Sequence, residues 1–154
     1  MPAQKVQDFL DSRDVRYITL KHSRAYTAQE IAARSHISGR DFAKTVIVFA
    51  NGNMAMVVLP AHQRIHLPEL RDMLGTLDVH LATESEFRAT FPDCELGAMP
   101  PFGNLYNLPV YVAGPLAEEE EIAFNAGTHT EVIQMRYADF EELVKPEVLE
   151  FITA

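Results

Sequence analysis

From residue 44 the chain reads KTVIVFA, then Asn51-Gly52 and an asparagine, then MAMVVLP. Two nearly unbroken apolar runs about an Asn-Gly pair predict a β-hairpin with a tight turn. Neither arm alternates apolar with polar, so the hairpin is expected at the centre of a sheet, buried on both faces. Pro60 ends the second arm, having no N–H to give a ladder. Helical spacing appears at Val6, Phe9 and Leu10, which predicts a helix over 2–13. Thr27-Ala-Gln-Glu30 is a capping box that predicts a helix over 28–35, and Thr83-Glu-Ser-Glu86 is a second, opening a helix that ends near Pro92. Pro68 suits the first residue of a helix reaching Leu74, with Gly75 as its stop.

Short strands are expected at 17–20, 78–81 and 110–112, with two more between 120 and 135 around Asn125-Ala-Gly127. A last helix covers 138–144, limited by Pro146. Helices alternate with strands, yet the hairpins require a mixed sheet. The class is α/β in a loose sense (mixed α+β): one compact domain over 1–154, a mostly antiparallel mixed sheet and flanking helices.

Composition narrows the classes. Of 154 residues 47% are apolar, which excludes a disordered chain. No apolar run approaches the roughly 18 residues of a membrane helix, and MPAQKVQDFLDSRD has no signal-like stretch, so no membrane partner is expected and the cytoplasm is the expected location. Cys94 is the single cysteine and stands between Asp93 and Glu95, where a thiolate is disfavoured and the thiol is inert. The net charge of −9 speaks against extensive nucleic-acid contact, and DNA is not expected as a partner. Its distribution is uneven: residues 1–44 hold eight Lys/Arg against five Asp/Glu, the remainder five against seventeen. That arrangement suits a protein touching only a small part of a polyanion, and equally two merely solvated faces.

Candidate chemistry is sparse. His62 and His66 are four apart, but the bracketing Pro60 and Pro68 argue against the shared helix face a metal pair would need, so neither metal nor cofactor is expected. Neither a nucleophile elbow nor a glycine-rich phosphate loop is present. Lys44 stands before the most buried strand, where an ammonium needs an anion, or else guards that strand against aggregation. Gly127-Thr128-His129 puts a histidine on a turn, as substrate-orienting group or simple hairpin end. GAMPPFG, residues 97–103, is a proline-stiffened loop bracketed by glycines, able to hold bare N–H groups toward a ligand or to plug Phe102 into the core.

Taken in order, these elements resemble the YbaK/prolyl-tRNA-synthetase-associated editing domain family over about residues 17–145. HSRAYTAQEIA is similar to its early His-x-x-x-Tyr-Thr segment, and FAKTVIVFANGNMAMVVLPA to its lysine-bearing hairpin. Gly97 and Pro101 match its Gly-x-x-x-Pro loop, and LPVYV with NAGTHTEVIQM its closing strands. One departure stands out: Ala113-Gly114 occupies the place where many relatives carry an acidic residue. The resemblance implies a free-standing deacylase that cleaves a small amino acid from mischarged tRNA without a covalent protein nucleophile. It implies Lys44, Gly97 and Pro101 as catalytic residues. Tyr26, Phe102, Gly103, Gly127, Thr128 and His129 would bind substrate. The partner would be the acceptor end of a mischarged tRNA, delivered by a synthetase or an elongation factor. The rival is a non-catalytic tRNA- or synthetase-binding module on the same scaffold.

Overall fold

The hairpin forms as its pattern requires in the computed structural model, which describes residues 4–25 and 27–154. Strands β1 (Tyr17–Lys21), β2 (Phe42–Ala50), β3 (Asn53–Pro60), β4 (Val79–Leu81), β5 (Val110–Ala113), β6 (Glu121–Asn125), β7 (Glu131–Arg136) and β8 (Glu147–Leu149) make one mixed sheet. Its order is β1-β7-β6-β2-β3-β5-β8, with β4 added beside β2. Asn51 and Gly52 take φ of 52° and 82°, the left-handed pair that lets a two-residue turn follow the twist of its strands. Every position of β3 from Ala55 to Pro60 is buried, so the hairpin is central and covered on both sides.

Helices α1 (Gln4–Ser12), α2 (Ala28–Arg34), α3 (Leu67–Leu74), α4 (Glu84–Phe87), α5 (Gly114–Ala117) and α6 (Tyr137–Val144) pack on the two faces. On one face Val6 and Leu10 of α1 meet Ile47, Met56, Val58, Val112, Phe124 and Phe140 in the larger core. On the other, Leu70 of α3 and Ile152 cover Val48, Val57 and Leu59, while Ile31 and Ala32 of α2 cover Phe42, Ala123 and Val132. The Thr27 box closes in both directions, Glu30 N–H donating to the Thr27 hydroxyl and Thr27 N–H to the Glu30 carboxylate. Gly75 stops α3 at φ 70°.

One expectation needs amendment, and two elements were not expected. The helix opened by Thr83 lasts only to Phe87 and tightens into a 3₁₀ turn over Arg88–Thr90. Helix α5 and strand β8 carry no periodic pattern, being four and three residues long. Among the described residues no helix is long and apolar enough to cross a membrane.

What positions the site is the edge of β2 facing β6. Strand β6 pairs there in parallel with Phe42 and Ala43, and β4 pairs antiparallel with Val48–Ala50. Between these two partners β2 has no strand beside Lys44–Val46 on that edge, among the described residues. The sheet splits there and leaves a crevice with Lys44 at its lip.

Candidate functional site

Lys44 is half-buried and projects, by strand alternation, on the same face as Phe42, away from the larger core. Burial pushes its ammonium down from the ordinary lysine value, and the charge of Arg64 adds to this. It lines a cavity of about 220 Å³ with Thr27, Gln29, His62, Gln63 and Arg64. A second of about 260 Å³ is walled by Lys44, Arg64, Val46, Ile65, Leu67 and Leu81. Pairing of β6 with β2 ends at Phe124 and Ala43, so Asn125 and Lys44 are each the first residue past it. Asn125 is 5% exposed, and its side-chain carbonyl has no hydrogen-bond partner among the described residues. A buried acceptor left unsatisfied is costly, so this amide is open to a donor.

From Asn125 the chain turns through Gly127, at φ 94°, into Thr128 and His129. This turn is bonded to the start of the proline-rich loop. Glu95 N–H donates to the Gly127 carbonyl at 2.8 Å, and Gly127 N–H to the Ala98 carbonyl at 3.0 Å. His129 N–H donates to Glu95 Oε1 at 2.8 Å, and Arg24 holds Glu95 Oε2 at 3.0 Å. Burial alone would raise the Glu95 carboxyl, but the His129 N–H and the Arg24 guanidinium outweigh it and hold it below the ordinary carboxylate value. The His129 ring is buried, with Nε2 2.7 Å from the Leu96 carbonyl. A carbonyl only accepts, so Nε2 carries the proton and is committed to the loop. The early segment closes the third side, with Ala25 N–H directed at the His129 carbonyl and His22 N–H at that of Thr130.

Gly97 is exposed at φ 83°, and among the described residues a Cβ there would meet only His129 Cε1, at 3.5 Å. The main-chain N–H groups of Gly97 and Thr128 have no acceptor among the described residues. Two bare donors on a tied-down backbone can stabilise an oxyanion. Pro101 is buried and stiffens the loop behind them. Phe102, expected against substrate, is instead wholly buried, edge-on to Phe9, Phe124 and Phe140, and anchors the loop in the core. Gly103, also expected at the substrate, is needed for packing: a Cβ would lie 2.8 Å from the Leu108 carbonyl oxygen. Thr128 is partly buried with its hydroxyl toward Thr130, and Tyr26 lies outside the described residues.

The residues flanking Gly97 are therefore hydrogen-bonded to Gly127 and His129. Lys44 follows the β2–β6 pairing whose β6 strand leads into the same turn, while the two cavities it lines contain no residue of 97–103. A larger depression of about 700 Å³ at the β1 edge, lined by Asp11, Tyr17 and Arg136 among others, holds none of the expected site residues. His62 and His66 share no helix, and among the described residues no group of three His, Cys, Asp or Glu could hold a metal ion. At the departure from the family pattern, α5 starts at Gly114 without an acidic residue, and the Glu150 carboxylate fills the space a side chain at 114 would take. Sequence reading missed Arg24, Glu95, Asn125 and Arg64, which only long-range contacts bring to the site.

A family model described as an aminoacyl-tRNA editing domain matches residues 22–143. The multifunctional Ser/Thr-tRNA deacylase ProXp-y of Escherichia coli K12 is 33% identical over 115 residues, 71% of this chain and 68% of that protein. A crystal structure of a hypothetical protein superposes with TM-score 0.86 at 22% identity, covering 97% of this chain and 99% of the other. Another, described as a candidate trans-editing enzyme for prolyl tRNA synthetase, superposes with TM-score 0.81 at 21% identity, covering 96% and 94%. At those identities the two structures bear on the fold alone.

Proposed function

The chain belongs to the aminoacyl-tRNA editing domain family, and from that premise we propose a trans-acting deacylase that frees a small amino acid from mischarged tRNA in the cytoplasm. The observation that carries the reading is the junction of the 95–98 segment with the 127–129 turn, which leaves the Gly97 and Thr128 N–H groups without an acceptor among the described residues, beside a fixed histidine. Water adds to the ester carbonyl carbon, and those two N–H groups receive the negative charge on the carbonyl oxygen. The bond from carbon to the ribose oxygen then breaks. The proton lost by the water passes through the neighbouring ribose hydroxyl to the leaving oxygen, and free amino acid departs.

In this reading Lys44 pairs with the terminal phosphate region, His129 orients the substrate, and Pro101 keeps the loop from relaxing. No protein side chain becomes acylated. Burial first of all pushes the Cys94 thiol up to about 11, so it is a poor nucleophile near neutral pH. Few phosphate contacts are required of a chain carrying −9, and delivery of the tRNA by a synthetase or an elongation factor compensates for a weak grip. The name of the E. coli relative, a Ser/Thr-tRNA deacylase, makes seryl and threonyl esters the first to try. The test is hydrolysis of a panel of tRNAs mischarged with Ser, Thr, Ala, Cys and Pro. Turnover of at least one is expected; tight binding of all with no turnover would place the chain with non-catalytic modules.

A further inference from the structure

Lys44 and Arg64 stand together on the walls of two adjoining cavities. Among the described residues neither has a carboxylate partner. Two cations brought together without an acid disfavour one another until an anion sits between them. The Arg64 main chain is a fixed base: its N–H and carbonyl bond to Ala154 at 3.0 and 2.9 Å, and Ile65 pairs with Thr153.

The two cavities differ in chemistry. Thr27, Gln29, His62 and Gln63 make one polar. Val46, Ile65, Leu67 and Leu81 make the other apolar, and Leu81 is 52% exposed although no core requires it there. The cation pair therefore divides a polar recess from an apolar one, an arrangement that matches a phosphate flanked by a sugar on one side and a base on the other. A guanidinium offers a planar fork of donors to phosphate oxygens, and an apolar shelf buries the face of a base without reading its identity.

We propose that this double recess takes the nucleotide preceding the aminoacylated nucleoside. Its phosphodiester lies between Lys44 and Arg64, and its base lies against Val46, Ile65, Leu67 and Leu81. The proposal rests on the deacylase reading and deepens it, because it assigns Arg64 and Leu81 to gripping the tRNA rather than the amino acid.

The test compares wild type, Arg64→Ala and Leu81→Ser on two substrates: seryl-tRNA across a range of salt, and 3′-seryladenosine, which has no phosphate. Arg64→Ala is expected to raise KM on tRNA about tenfold with kcat within about twofold, as loss of one charged contact would. It should also flatten the dependence of log(kcat/KM) on log salt by about 0.7, the share of one single-strand phosphate. Leu81→Ser should raise KM severalfold and leave the salt slope alone. Neither change should alter hydrolysis of seryladenosine. Wild-type KM and salt slope in both variants, or a loss confined to kcat, would overturn the subsite while leaving the deacylase reading intact. Failure of the wild type to hydrolyse either substrate would overturn the reading itself, and the subsite with it.

Discussion

Glu95 Oε1 accepts the main-chain N–H of His129 at 2.8 Å, tying the proline-rich loop to the turn after β6 across 34 residues of sequence. Burial opposes ionisation of this carboxyl, yet the His129 N–H and Arg24 hold it below its ordinary value of 4.5. A depressed folded value means the ionised group stabilises the fold above the ordinary value, and that contribution fades as pH falls through the folded one. Glu95→Gln should therefore lower Tm near neutral pH, with the two curves converging as pH falls through the folded value, which lies below 4.5. Melting curves from about pH 3 to 8 check this. Parallel curves throughout would remove Glu95 from the account.

Gly97 lies in the left-handed region at φ 83°, with room for a Cβ beside His129. The cost of Gly97→Ala is then backbone strain, about 1–2 kcal/mol, rather than a clash. Relief of that strain would rotate the 97 N–H away from its present direction. Deacylation should fall by roughly a hundredfold or more, as for one lost oxyanion donor. Thermal unfolding together with initial rates separates the two effects, and an unchanged rate would remove this N–H from the chemistry.

Phe102 is wholly buried among Phe9, Phe124 and Phe140, so its contribution is to stability rather than substrate contact. Phe102→Ala should cost about 3–5 kcal/mol, read from the shift of the urea midpoint. A variant that kept its midpoint and lost only affinity for substrate would reverse this assignment.

Cys94 should be dispensable. A thiol pushed up to about 11 is protonated near neutral pH. Cys94→Ser should deacylate within about twofold of wild type, a difference well under one unit of pKa in free energy. Iodoacetamide should leave the rate unaffected, whereas loss of activity in step with alkylation would bring the thiol into the reaction.

The fold was legible wherever a local pattern is strong. The apolar arms about Asn51-Gly52, the Thr27 capping box and the Gly75 stop each act over a few residues, and each formed. Helix α5 and strand β8 were not legible, because Gly114-Pro115 reads as a turn and three residues after Pro146 show no period. The site divides in the same way. Lys44, Gly97 and His129 were nameable from residue type and order. Arg24 and Glu95 are 71 residues apart and meet only because β1 and β7 pair and the loop folds over their end. Asn125 reads as half of a turn signal, and only the pairing of β6 with β2 puts it, like Lys44, one residue past the end of that register. Phe102 could be read as pocket or plug, and packing decided for the plug.

The central claim is hydrolysis of an aminoacyl-tRNA ester at a site that needs Lys44. Its most direct measurement is single-turnover deacylation of seryl- and threonyl-tRNA by excess enzyme, wild type against Lys44→Ala, each variant first shown to melt at the same temperature. The account predicts, with enzyme below saturation, exponential release of the amino acid by the wild type and a rate reduced by roughly tenfold or more in the variant, the scale of a lost charge-assisted phosphate contact. Equal rates in the two proteins, or no release by the wild type, would contradict it.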